Sequence, residues 1–218
     1  MLPVLEQQFG SAAALLASER ELQDRLRARG IYFGDGLLPT YAYAFTVASA
    51  VVDRWAAKAT QLIAAVEEAA HRLVDDPSFY KAMGLSEQAK GLVRIDPGFK
   101  QICVLCRPDG IPVGDDMKFV EVNSDSPAMM MFIDVVAECL LELDAFAWLR
   151  PHRPPSAADA LHDTLLACYR EYGGASSHPT IAITDWEGQK TRYEHARLAE
   201  HFTRRGCDTI VCDPRSFR

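Results

Sequence analysis

The sequence predicts an α/β protein with a helical N-terminal portion, on three observations. Apolar residues recur at helical spacing through the first half. Two segments near the middle alternate like a β-hairpin. The last third runs strand, helix, strand. With 218 residues, 49% hydrophobic and 24% charged, the chain has the composition of a globular protein and the length for a real core.

The elements follow in order. Leu15, Leu22 and Leu26 mark one helical face within Leu5 to Arg29, and Gly30 supplies a stop. Ile31 to Thr40 carries Gly34, Gly36 and Pro39, which is loop composition. A long alanine-rich helix is expected from about Tyr43 to Asp75, ended by Pro77, with a short helix over Pro77 to Gly84. Gln101 to Cys106 and Met117 to Asn123 then read as the two strands of a hairpin, joined through Pro112, Gly114, Asp115 and Asp116. Pro127 suits a first helical position, and an apolar helix is expected from Ala128 to Leu143. The cluster Pro151, Pro154, Pro155 is a connector. Ser156 is placed to cap a helix that Gly173 and Gly174 end. Thr180 to Thr184 and Thr209 to Cys212 flank a helix from Thr191 to Arg205, a pattern that favours a parallel pair with a right-handed crossover. Open sheets of that kind bind ligands at the carboxyl ends of their strands.

Charge and cysteine content narrow the function. The net charge of −7 gives no electrostatic footprint for nucleic acid and repels an anionic membrane surface, so neither is an expected partner. The stretch from Gly36 to Val52 is uncharged but interrupted by Pro39, and it is shorter than the roughly 20 residues a bilayer needs. Met1 to Gln8 lacks a basic region followed by an apolar run, and six cysteines do not make a disulfide scaffold. The expected location is cytoplasmic.

The densest polar constellation is the hairpin and the turn after it. Strand alternation puts Arg107 and Asp109 on one face, and Glu121 and Asn123 on one face. A turn centred near Gly114 sets Arg107 opposite Glu121. Two carboxylates and an amide oxygen suit Mg²⁺, and a guanidinium grips a carboxylate or phosphate. Ser124 and Ser126 lie just before a helix N-terminus, whose N–H groups favour an anion. The same residues also make an ordinary cross-strand ion pair and a capped loop, and the pattern alone leaves both readings open.

The segment from Cys106 to Ala128, CRPDGIPVGDDMKFVEVNSDSPA, resembles the substrate-site region of the glutathionylspermidine synthase and circularly permuted ATP-grasp families. Their signature is an R-x-D strand, a turn, and an E-x-N-x-[DE]-[ST]-P strand end. Ile95 to Phe99, Pro179 to Trp186 and Thr209 to Pro214 fit the same order. The resemblance covers residues 91–218 and implies a Rossmann-like pre-ATP-grasp domain there, after a helical portion over 1–90. It implies that Asp109, Glu121 and Asn123 hold Mg²⁺, that Arg107 stabilises an acyl-phosphate, and that Ser124 and Ser126 contact a carboxylate-bearing, amino-acid or peptide-like substrate. The implied reaction is ATP-dependent carboxylate–amine ligation. Family members continue into nucleotide-binding lobes, and none follows Arg218 in this sequence. The expectation is therefore a substrate- and metal-binding portion, inactive alone, completed by an ATP-grasp segment or chain that brings ATP. The alternative is a non-catalytic binding or partner-docking module.

Weaker signals have plainer readings. Cys103-Val-Leu-Cys106 has no second metal-binding pair and reads as core, as do Cys139, Cys168, Cys207 and Cys212. His195 and His201, six apart on one helix, read as surface residues. Met129 to Met131 read as packing, and Arg204 and Arg205 as complements to a helix dipole. Arg94 and Asp96 form a rival R-x-D, but Pro97-Gly98 reads as a turn, which favours Arg107 and Asp109.

Overall fold

The computed structural model describes residues 8–96, 98 and 100–216 and is mixed α/β, mostly helical with small sheets. Gln8 and Phe9 are helical, but Gly10 takes φ +70° and breaks the predicted first helix. The helix proper, α1 (Ala12–Ala28), starts where the Ser11 hydroxyl accepts from the Ala14 N–H at 3.1 Å. Residues 5–7 of the predicted helix lie outside the described residues. The expected loop after Gly30 contains two short strands, β1 (Tyr32–Phe33) and β2 (Gly36–Leu37), around a turn in which Gly34 has φ +66°.

The long helix is α2 (Ser49–Leu73). It begins later than predicted, because Ala48 is still extended. Pro77 opens a helix as well as stopping one. In α3 (Pro77–Ala82) it sits at the first turn, and Asp76 Oδ1 accepts from the Ser78 N–H at 2.8 Å. A further helix, α4 (Glu87–Val93), was not expected; Ser86 caps it, and Glu87 pairs with Lys90 at 2.6 Å.

The hairpin is β3 (Arg107–Val113) with β4 (Asp116–Asn123). The predicted strand at 101–106 does not form. Strand β4 ends at Asn123, opposite Arg107, so the preceding residues have no strand to pair with; the Cys103 N–H bonds instead to Glu67 Oε1 of α2, at 3.1 Å. The next helix, α5 (Met130–Glu142), begins three residues after Pro127, which is therefore outside it. A 3₁₀ stretch over Asp144–His152 leads to α6 (Ala157–Glu171), where Ser156 caps as expected, accepting from the Asp159 N–H at 3.0 Å. The final pattern is borne out: β5 (Ile181–Thr184), α7 (Arg192–Arg204) and β6 (Thr209–Cys212), with the strands parallel and Ile181 paired with Thr209.

The chain divides into two compact units. The first comprises Met1–Phe45, Ala128–Leu165 and Ala175–Arg218; the second comprises Thr46–Pro127 and Leu166–Gly174. The first holds most of the core: Leu22 and Leu26 of α1, Phe132 and Cys139 of α5, Phe146, and Phe202 of α7 are all buried. Each large apolar side chain there contributes about 1.5–3 kcal/mol by leaving water. In the second unit α2 has no buried residue and Tyr80 is the large buried side chain. Among the described residues there are three sheets, each of two strands. Among the described residues no helix is long and apolar enough to cross a membrane.

Candidate functional site

In the second unit the hairpin is anchored at its turn by α2. Arg54 reaches Asp115 at 2.9 Å, the Trp55 indole N–H donates to the Asp115 carbonyl at 3.0 Å, and Lys58 bonds Asp116. Hydrogen bonds from Lys58 and Lys118 hold the Asp116 carboxyl well below the usual carboxylate range. The turn is thereby fixed, and the open end of the hairpin carries the expected site.

The register differs from the expectation. Asp109 pairs with Glu121 and Arg107 with Asn123; Arg107 does not face Glu121. A bulge between Asp109 and Gly110 leaves Val120 as the extra residue on β4. Directly opposed residues project to one face, so Arg107, Asp109, Glu121 and Asn123 do come together. Arg107 Nε donates to Asp109 Oδ1 at 3.1 Å, and the Asn123 amide donates to Asp109 Oδ2 at 3.3 Å and to the Arg107 carbonyl at 3.4 Å. Asp109 is the hub, about half-exposed like Arg107, while Glu121 is exposed beside it. The rival pair lies elsewhere in this unit: Arg94 sits over the Tyr80 ring and near Asp75, and Asp96 accepts from the Gly98 N–H.

Ser124 and Ser126 are exposed in the turn after β4, and Ser126 has φ +43°, a left-handed backbone unusual for a residue other than glycine. The N-terminus of α5 is not open to an external anion, as Ser124 and Ser126 had suggested. Buried Glu194 of α7 accepts from the Met129 N–H at 2.9 Å and the Met131 N–H at 3.1 Å. A side chain of the protein occupies the place of the ligand. Sequence spacing gave no hint of Glu194, which is remote in the chain from the residues it caps.

The donors at the hairpin are hard oxygens, the kind Mg²⁺ takes, and that ion commonly binds through one or two carboxylates together with substrate phosphates and water. Asp109 and Glu121 supply two carboxylates as direct cross-strand partners. Asn123 turns its amide nitrogen toward Asp109, leaving its oxygen for a third contact. Among the described residues no group of three or more His, Cys, Asp or Glu side chains is placed to hold a metal ion. The set therefore fits an ion shared with a ligand rather than one enclosed by protein. The cysteines do not enter it. Cys103 and Cys106 are half-buried, and burial pushes both thiols up, which disfavours a reactive thiolate.

A second polar cluster lies in the first unit at the carboxyl ends of β5 and β6. Thr191 donates to Asp185 Oδ2 at 3.3 Å, His195 Nε2 lies 3.8 Å from the same oxygen, and Arg215 stacks over the exposed Trp186 ring while pairing with Asp213. His195 and His201 are half-buried, less exposed than expected, with side chains 16% and 18% exposed, and His201 contacts Asp159 at 2.9 Å. No protein-family model matches the chain, and no curated protein matches it.

Proposed function

We propose that this chain carries the substrate- and metal-binding part of an ATP-dependent carboxylate–amine ligase of the ATP-grasp kind, with a Rossmann-like pre-ATP-grasp arrangement of its second half. The observation that supports this reading is the shared face of Arg107, Asp109, Glu121 and Asn123 at the open end of a hairpin whose turn is tethered. In this reading Asp109 and Glu121, with the Asn123 amide oxygen, hold Mg²⁺. The ion, when bound, neutralises charge on phosphate oxygens. Arg107 keeps its guanidinium beside Asp109, where its positive charge stabilises an acyl-phosphate. The Ser124 and Ser126 hydroxyls donate to the carboxylate of an amino-acid or peptide-like substrate. ATP comes with a nucleotide-binding partner segment or chain.

Mn²⁺ is the probe for this site, since it takes the same oxygen ligands and broadens nearby resonances. Titrated into the chain, it is expected to broaden Asp109, Glu121 and Asn123 first, and Glu121→Ala is expected to remove the effect while leaving the fold unchanged. Uniform broadening of surface carboxylates, or no change in Glu121→Ala, overturns the reading. The non-catalytic docking module then stands in its place, for which exposed Ile210 and Val211 on β6 are the favouring observation.

A further inference from the structure

The first unit holds a cavity of about 320 Å³ between the end of α1, α5, the start of α6 and α7. Its size is at the lower end of small-molecule sites. Arg29, Arg153, Arg197 and Arg204 line it, with His201, in a chain whose net charge is −7. The carboxylates on its wall are already engaged. Asp134 accepts from the Ser156 hydroxyl at 2.6 Å and from the Ala157 and Ala158 N–H groups at 2.9 Å, capping α6. Glu138 is paired with Arg153 at 2.5 Å, and Asp159 with His201 and Arg205.

The arginines are not equally engaged. Arg29 is turned to Glu142 at 2.5 Å and to Cys139 Sγ at 3.1 Å. Arg197 holds Glu200 and the Arg29 carbonyl, which fixes its guanidinium at the cavity. The Arg204 side chain makes no hydrogen bond, ion pair or ring contact with any described residue, and it lines the same cavity. Met131, Val135 and Pro154 give the cavity an apolar wall. An unpaired guanidinium beside three held ones, with no free carboxylate to neutralise it, attracts an anion, and the apolar wall accepts an organic body.

We propose that this cavity binds a small oxyanion-headed molecule, its phosphate or carboxylate held by Arg204 with support from Arg197 and Arg153. The site is separate in the chain from the hairpin residues and does not depend on the ligase reading.

The test follows the arginine Nε–H signals of the full chain by NMR while inorganic phosphate or acetate is added, with chloride at equal ionic strength as reference. Saturable shifts at Arg204 and Arg197, absent with chloride, are expected, and Arg204→Ala is expected to weaken binding by about tenfold or more. Phosphate binding without acetate identifies a tetrahedral head, and the converse a carboxylate. Arg204 is exposed and unpaired, so Arg204→Ala should keep the wild-type melting temperature. Arg204→Lys, which retains charge but not the fork, should recover only part of the affinity. Shifts that never saturate, that chloride reproduces, or that persist undiminished in Arg204→Ala overturn the proposal.

Discussion

Glu194 shows what one side chain decides in this fold. It is 2% exposed, and its two carboxyl oxygens satisfy the Met129 and Met131 N–H groups at the start of α5. Met129 itself has φ +93°, a conformation costly for a side chain with a Cβ, so the segment needs this external fastening. Removing the carboxyl leaves two donors without partners, at least one of them buried, and a gap behind them. Glu194→Ala is therefore expected to cost about 3 kcal/mol, measured by urea unfolding. Glu194→Gln retains one acceptor oxygen and should cost about 1 kcal/mol. Equal stability of the three proteins would show that the cap contributes nothing. Asp134 has the same role at α6, so α5 and α6 each begin on a carboxyl group from a distant element.

At the scale of elements, the hairpin separates what the sequence makes legible from what it hides. Turn residues and alternation were enough to expect strands joined through Gly114, and to expect Glu121 and Asn123 on one face. Two things were not visible: the pairing centre lies half a step along from Gly114, and Val120 is a bulge. The combined displacement moves each partner by two residues, and an even shift preserves the face. Arg107 and Asp109 thus meet Asn123 and Glu121 on one face, although each partner differs from the expectation. One helix start was legible from a cap in local sequence, at Ser156, whereas the local caps Ser11 of α1 and Ser86 of α4 were not read from the sequence. Helix starts were illegible where packing or a distant carboxyl set them, as at Met130. Gly110 marks the bulge physically. A Cβ there would lie 2.5 Å from Met117 Sδ and 3.3 Å from the Lys118 carbonyl oxygen. The sulfur can swing aside but the carbonyl cannot. Gly110→Ala should gain a few tenths of a kcal/mol from the unfolded chain and lose more to this contact, for a net cost of about 1–2 kcal/mol by chemical denaturation. A stabilised variant would show that the bulge does not need glycine.

At the scale of the whole molecule, every carboxyl group with a displaced pKa among the described residues is displaced downward, and that sets the response to acid. Lys58 and Lys118 lower Asp116, Arg215 lowers Asp213, Arg29 lowers Glu142, Lys90 lowers Glu87, and hydrogen bonds from Ser78 lower Asp76. Each of these groups binds its proton less readily in the folded chain than in the unfolded one, whose carboxyls titrate near about pH 4. Their contribution is fully present above that value and is lost as pH falls through the lower folded values. Melting temperature should therefore be nearly level from neutral pH to about pH 5 and decline below about pH 4. The chain carries −7 at neutral pH, so acidification first removes self-repulsion; a loss caused by repulsion would instead appear only after strong positive charge had built up. Salt separates the two causes. It should weaken these mostly exposed pairs and lower the neutral plateau, whereas it would rescue a chain unfolding through repulsion. Lys58→Ala should raise the Asp116 titration in a carbon-detected NMR series. An unchanged Asp116 midpoint, or a melting temperature that rises below pH 4, would show that these pairs do not govern acid stability.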